Sequence, residues 1–428
     1  MEGVEREGSR RMVGATEGPA GFQAVRETNL GIVLRTIRTS APCSRAVVAA
    51  STGLTKATVS SLVAELIDRG LVCETGLVNQ RRVGRPGMML TINGSTLVAI
   101  GLEVNVDYLA LATVDLLERE VITRHVAFDA RAAGPEECAA RLRDLLLEAT
   151  ADPLLRDRPL LGVSVGVPAL VDVAAGTVTN APNLGWRDFP LKQRLTGLLA
   201  DTALAGAPVL VDNDANLGAV AEYRGGHLAR TMDLVYLTGE VGIGAGVLMN
   251  GEPLRGASGF AGEIGHIPLL KDGPRCACGQ RGCLEALAGL DSILRRAVPD
   301  LVPDGPVRGS VVESLVAETA RRAEADDPTA LDALTSAGEW LGRAAATLVN
   351  LLNPSAIILG GYFVPLSPWL LPPCREAMAA HSFAPDSGNC RIEPSTLGLS
   401  AAARGGAMAL IDALDTGSLP LPPGSNAA

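Results

Sequence analysis

Apolar residues at Leu30, Val33, Leu34 and Ile37 recur at helical spacing and predict a first helix. It ends near Thr39-Ser40-Ala41-Pro42, where small polar residues and proline break the pattern. Ser44 is a suitable N-cap for a short second helix over residues 45–50, and Gly53 supplies the turn after it. Thr55 then caps a third helix. Val59, Leu62, Val63, Leu66 and Ile67 stand at i, i+3, i+4, i+7 and i+8, a single buried stripe. The opposite face begins with Lys56, Thr58 and Ser61, all basic or short donors. Gly70 ends this helix. Leu71 with Val72, and residues 88–92, read as two strands around the basic loop Arg81-Arg82-Val83-Gly84-Arg85-Pro86-Gly87.

From Leu97 the pattern changes. Apolar runs over residues 97–103, 108–114 and 120–127 predict strands, followed by a helix around 135–149 and a buried strand at 160–167. Strands resume at 209–211, 234–237, 244–249 and 356–359, and a helical segment spans 310–352. Strand pairs alternating with helices indicate mixed α/β layers. Residues 1–24 and 415–428 are rich in Gly, Pro, Ser or charge and are expected to be disordered. The chain therefore divides into a small module over 25–92 and a larger one over 93–414.

Charge separates the same two regions. Residues 26–92 carry a net charge of +5 and residues 93–428 carry −14. A basic module on an acidic body suggests that only the former meets an anionic polymer. Three helices followed by a basic β-wing form the winged version of the helix-turn-helix, whose third helix enters the major groove. Thr55, Lys56, Thr58 and Ser61 would then face DNA, and Arg81, Arg82 and Arg85 would add phosphate or minor-groove contacts. The chain has no long apolar run and its N-terminus lacks the apolar stretch of a signal peptide, which predicts a cytoplasmic protein without a membrane partner. Cys43, Cys73, Cys138, Cys374 and Cys390 are then expected to stay reduced.

The chemistry concentrates in residues 259–286. Cys276, Cys278 and Cys283 fall in a Gly-rich loop, and His266, one of four histidines, lies ten residues before the first of them. A Cys3His set leaves no open coordination position and suits a structural zinc site. Glu263 and Glu285 flank these ligands and would face a polar ligand.

The residues at this point resemble the ROK family (repressors, open reading frames and kinases), and specifically its sugar-responsive regulators. The resemblance runs from about residue 26 to about residue 414. It rests on Val211-Asp212-Asn213-Asp214-Ala215-Asn216, Gly242-Ile243-Gly244-Ala245-Gly246, the Ala-Gly-Glu-Ile-Gly-His run ending at His266, and the Cys-x-Cys-Gly-x-x-Gly-Cys-x-Glu run ending at Glu285. It implies a winged helix-turn-helix ahead of an actin-like, ribonuclease H-like, two-lobed sugar-kinase-type ATPase fold, with sugar bound between the lobes. The implied zinc ligands are His266, Cys276, Cys278 and Cys283. The implied sugar ligands are Asn213, Asp214, Glu263, His266 and Glu285, with Asn183 on a less constant loop. Carboxylates and amides suit a sugar because they accept from, or donate to, its hydroxyls.

In the family's kinases an aspartate matching Asp214 is the general base, and phosphate meets a glycine-lined Asp-x-Gly-Gly-Thr turn. The matching stretch here is Glu103-Val104-Asn105-Val106-Asp107, with both glycines replaced. Glu240 stands in the second phosphate loop, so Asp107 and Glu240 would both confront the phosphates of ATP. Like charges about 4 Å apart cost on the order of 4 kcal/mol at an effective dielectric near 20. The expected function is a DNA-binding regulator of carbohydrate genes, acting as a repressor. It would work as a homodimer or homotetramer on operator DNA, respond to a sugar or sugar derivative, and have no catalytic activity. The alternatives are an active ATP-dependent sugar kinase with a DNA-binding appendage, and a constitutive DNA-binding protein with a vestigial body.

Overall fold

The computed structural model describes residues 19–76, 88–156, 158–305, 307, 309, 311–384 and 390–421, with side chains from residue 23 onwards. The chain forms two compact units, residues 1–92 with 413–428 and residues 93–412.

The first unit is built from α1 (Pro19–Ser40), β1 (Cys43–Ser44), α2 (Arg45–Thr52), α3 (Lys56–Asp68), β2 (Val72–Thr75) and β3 (Met89–Ile92). Ser44 caps α2 by accepting from the Val47 N–H, and Gly53 closes the helix in the left-handed region at φ 71°. Thr55 caps α3 by accepting from the Thr58 N–H at 3.1 Å. The two helices are bent by 118° at this break. Leu30, Val33, Leu34 and Ile37 of α1 are buried with Val48, Val59, Leu62, Val63 and Leu66, as their spacing predicts. Ile67 is only half-buried. The strands pair antiparallel in the order β1-β3-β2.

Two boundaries differ from the sequence reading. The first helix begins at Pro19, within the stretch expected to be disordered. The C-terminal tail does not stop being structured at residue 415. The Ser418 and Leu419 N–H groups donate to the Ala413 carbonyl at 2.8 and 3.0 Å, and Leu419 is buried. Asp415 forms a buried ion pair with Arg38 of α1. Gly31 lies so close to the tail that an added Cβ would stand 2.5 Å from the Leu414 carbonyl oxygen. Apolar burial and a long-range charge pair hold this segment, and neither leaves a local signature.

The second unit opens with β4 (Val98–Val104), β5 (Tyr108–Asp115), β6 (Glu120–Ala127), α4 (Ala130–Thr150) and β7 (Leu160–Val167). Next come β8 (Leu170–Asp172), β9 (Thr177–Ala181), β10 (Trp186–Phe189), α5 (Leu191–Leu199), β11 (Val209–Asn213) and α6 (Asp214–Gly225). Its first sheet has the order β11-β7-β4-β5-β6, with β4 parallel to β7 and antiparallel to β5. A second sheet uses β12 (Leu234–Gly239), β13 (Ile243–Met249), β14 (Glu252–Pro253), β15 (Ala356–Gly361) and β16 (Arg391–Pro394) in the order β14-β13-β12-β15-β16. Between β14 and β15 lie α7 (Leu284–Ala288), α8 (Leu290–Ala297), α9 (Val311–Glu324) and α10 (Pro328–Leu352). The single helical segment read over 310–352 is thus two helices, and Asp327 caps the second by accepting from the Thr329 N–H at 2.8 Å. A helix spans Phe363–His381 between β15 and β16, and Ala401–Asp415 is the last helix among the described residues. Among the described residues no single helix is long and apolar enough to cross a membrane.

Candidate functional site

Polar side chains from both large sheets converge on one cavity of about 560 Å³. The first group comes from the end of β11. Asn213 is the N-cap of α6, its Oδ1 accepting from the Asn216 N–H at 3.0 Å and its Nδ2 donating to the Ala169 carbonyl at 3.2 Å. Asp214 begins the helix and accepts from the Ala215 N–H at 2.8 Å. Burial pushes its carboxyl up to about 6, although the Ala215 hydrogen bond opposes the shift.

The second group comes from the loop after β14. Gly262 holds φ +101°, and a Cβ there would stand 2.4 Å from the Ala245 carbonyl oxygen, so the loop backbone rests directly on β13. This close approach brings Glu263 and the 3-10 turn Ile264–His266 to the cavity. Burial raises the Glu263 pKa, and the neighbouring His266 counters it.

His266, Cys276, Cys278 and Cys283 form one cluster whose potential ligand atoms all lie within 4.8 Å of one another. Cys276 Sγ is 3.6 Å from His266 Nδ1, and Cys278 Sγ is 3.7 Å from Cys283 Sγ. Metal–sulfur bonds of about 2.3 Å in a tetrahedron give ligand separations of about 3.8 Å, so the four side chains fit a closed thiolate–imidazole site. Short antiparallel bridges, Pro268 with Cys283 and Arg275 with Arg281, fold the loop back on itself. Among the described residues the cysteines form no disulfide.

Glu285, on α7, completes the cavity beside the cluster. Its Oε2 accepts from the Ile243 N–H at 3.1 Å, while Cys276 Sγ lies 3.6 Å from Oε1. Asn183 faces it from the turn between β9 and β10, where Arg131 donates to the Pro182 and Asn183 carbonyls at 3.2 and 2.8 Å. The cavity thus gathers Asn183, Asn213, Asp214, Glu263, His266 and Glu285, the six residues expected around a ligand.

In the stretch matching the phosphate loops, Asp107 and Glu240 both line an adjoining cavity of about 620 Å³. Glu240 also lines the first cavity. Its carboxylate accepts from Asn105 Nδ2 and lies 3.1 Å from the Tyr108 hydroxyl and 3.3 Å from Thr238 Oγ1. Tyr108 also lies 2.8 Å from Glu103 Oε1. One phenolic proton cannot serve two carboxylates, so a second proton must reside on Glu103 or Glu240 for both contacts to be hydrogen bonds. Burial, with Asp214 nearby, pushes Glu240 up to about 7. Burial, with Glu240 nearby, raises Glu103 well above the usual range.

In the first unit, Lys56 and Ser61 are exposed on α3, whereas the Thr55 and Thr58 hydroxyls bond each other at 2.8 Å. Arg81, Arg82 and Arg85 lie outside the described residues. Sequence reasoning missed the small sheet β10-β9-β8 that carries Asn183, and the Asn105–Tyr108–Glu240 network. It also missed an ion pair between Asp212 and Arg255.

The ROK family model matches residues 99–413. The xylose repressor of Bacillus spizizenii is 32% identical over 382 residues, covering 89% of this chain and 94% of that protein. The crystal structure of a ROK family transcriptional regulator, a homologue of the E. coli MLC protein, superposes with a TM-score of 0.77 at 25% identity, covering 92% of this chain and 98% of that one. A ROK family glucokinase from Streptomyces griseus in complex with glucose and AMPPNP gives a TM-score of 0.61 at 28% identity, covering 73% of this chain and 98% of that one. The second unit therefore has the two-sheet, actin-like architecture of the sugar kinases, and the chain belongs to the ROK family.

Proposed function

We propose that this chain is a sugar-responsive, DNA-binding transcriptional repressor of carbohydrate genes. The observation that carries the reading is the convergence of Asn183, Asn213, Asp214, Glu263, His266 and Glu285 on one cavity. Carboxylate and amide groups on opposite walls suit a polyol, whose hydroxyls both donate and accept. The likeness to a xylose repressor over 89% of this chain supports the regulatory part of the reading.

Zinc is the metal assigned to His266, Cys276, Cys278 and Cys283, because three thiolates and one imidazole in a closed tetrahedron suit it. It would brace the loop that carries Glu263 and lies against Glu285, leaving no position for catalysis. His266 would ligate through one ring nitrogen and keep the other for the sugar.

The first unit is read as a winged helix-turn-helix, with α3 in the major groove and β2 and β3 flanking the wing. Thr55, Lys56, Thr58 and Ser61 would reach DNA from α3, and Arg81, Arg82 and Arg85 from the wing. A homodimer, alone or paired into a tetramer, would present two such units to two half-sites. A sugar that binds two arrangements of the body with different affinity would shift operator binding.

Asp214 favours the competing reading, an ATP-dependent sugar kinase, since a half-buried carboxyl raised to about 6 suits a general base. The Glu240 network opposes it by placing a carboxylate among the donors a phosphate would need. Isothermal titration of D-xylose and D-glucose, run beside a coupled ADP-release assay, separates the two. Sugar binding without ADP release supports the repressor, and turnover abolished by Asp214→Ala overturns it.

A further inference from the structure

Arg255 belongs to none of the ligand sets above, yet it ties the two walls of the cavity together. It follows β14 of the second sheet, and its Nη1 and Nη2 donate to Asp212 Oδ1 and Oδ2 at 2.8 and 2.6 Å. Asp212 lies on β11 of the first sheet with its side chain 9% exposed. The same carboxylate accepts from the Asn213 N–H at 2.8 Å and lies 3.5 Å from Asn216 Nδ2. At its other end Arg255 accepts, through its carbonyl, from the Ala261 N–H at 3.2 Å, closing the loop that runs on to Glu263 and His266. One residue therefore holds the base of both polar groups.

The pairing has a geometric and an electrostatic consequence. A planar guanidinium that meets a carboxylate with two parallel hydrogen bonds fixes orientation as well as distance. A sugar spanning Asp214 and Glu263 would otherwise have to fix the Glu263 loop against the β11–α6 junction as it binds, which lowers affinity. Asp212 is also one of the charges that raise the Asp214 pKa, together with Glu263, while Glu240 and Glu103 are the other carboxyls that interact with Asp214. Arg255 neutralises Asp212 where it stands, and burial would lower the Arg255 pKa were it not outweighed by Asp212.

We propose that Arg255 is a positioning residue for the effector, setting the register between the Asn213–Asp214 and Glu263–His266 walls through Asp212. The proposal rests on the sugar-binding reading above.

The test is titration calorimetry of the full chain with D-xylose and D-glucose at several pH values, for wild type, Arg255→Ala, Arg255→Lys and Asp212→Asn. The expected results are a loss of about 10- to 100-fold in sugar affinity for Arg255→Ala, as for groups that orient direct ligands, and only partial recovery in Arg255→Lys. The pH midpoint of sugar affinity should also rise in Arg255→Ala, because an unneutralised Asp212 favours protonated Asp214. A merely structural arginine would leave that midpoint in place. Asp212→Asn keeps the size and one acceptor, and should weaken binding without raising the midpoint. Metal content and circular dichroism, unchanged, show that each variant is folded. Arg255→Ala affinity within about twofold of wild type at every pH overturns the proposal alone. A wild-type chain that binds neither sugar removes the reading beneath it, and the proposal falls with that reading.

Discussion

The Ile243 N–H donates to Glu285 Oε2 at 3.1 Å, so a carboxylate on a helix of the cysteine-rich region is anchored to the first residue of β13. The fit leaves no room beside it. A Cβ added at Gly242 would lie 2.3 Å from that same oxygen and 3.3 Å from Asn183 Nδ2. Gly242→Ala should therefore displace Glu285 and weaken sugar binding, at a cost on the order of 1–3 kcal/mol for the disrupted hydrogen bond. Calorimetry with D-xylose and D-glucose checks this. Wild-type affinity in the variant would show that Glu285 has no part in the site.

On the proposed function, loss of zinc should impair sugar binding before it impairs DNA binding. Cys278→Ser takes one ligand from the cluster of His266, Cys276, Cys278 and Cys283, while the first unit holds none of them. The expected outcome is loss of zinc by elemental analysis and loss of sugar affinity, with DNA binding retained. Unchanged sugar affinity in a zinc-free variant would separate the metal from the effector site.

Two half-buried carboxyls predict a pH dependence of stability. Burial pushes Asp214 up to about 6 and Glu240 up to about 7. A carboxyl with a raised folded-state pKa binds more protons folded than unfolded, so its contribution is present below the unfolded value and is lost as pH rises through the folded one. The window therefore runs from about pH 4 to about pH 7. Glu240→Gln, which stays neutral, should gain thermal stability over wild type as pH rises through that window. A melting-temperature difference that is constant with pH would remove Glu240 as a strained acid.

The Arg38–Asp415 pair predicts a structural role for the chain's C-terminal segment. Their side chains are only 6% and 2% exposed. Breaking a buried pair on one side costs about 3–5 kcal/mol, because the other charge is left uncompensated. Asp415→Ala should lower the unfolding midpoint of the first unit accordingly, read by chemical denaturation. Loss of less than about 1 kcal/mol, the range of an exposed pair, would show that the segment does not hold α1.

What could be read in the sequence was local. Ser44, Gly53 and Thr55 signal caps and turns within a few residues, and α2 and α3 form where those signals stand. The cysteine spacing and the run ending at His266 located the cluster of His266, Cys276, Cys278 and Cys283 because the loop closes over a short stretch. The sheet β8–β10 was missed because its strands are three to five residues long and carry no clean alternation. Pro368, Pro372 and Pro373 hid the helix over Phe363–His381. Asp212 and Arg255 stand 43 residues apart, and Tyr108 and Glu240 132 apart. Such pairings depend on sheet topology, which periodicity does not report.

The central claim is that a sugar in this cavity controls operator binding. Its most direct test selects a DNA site from a randomised duplex pool with the full chain, then measures affinity for that site with and without saturating D-xylose or D-glucose. The account predicts a shift in operator affinity with at least one sugar, abolished by Asp214→Ala or Glu263→Ala while binding without sugar persists. Operator affinity that is unaltered by a sugar shown calorimetrically to occupy the cavity would contradict it.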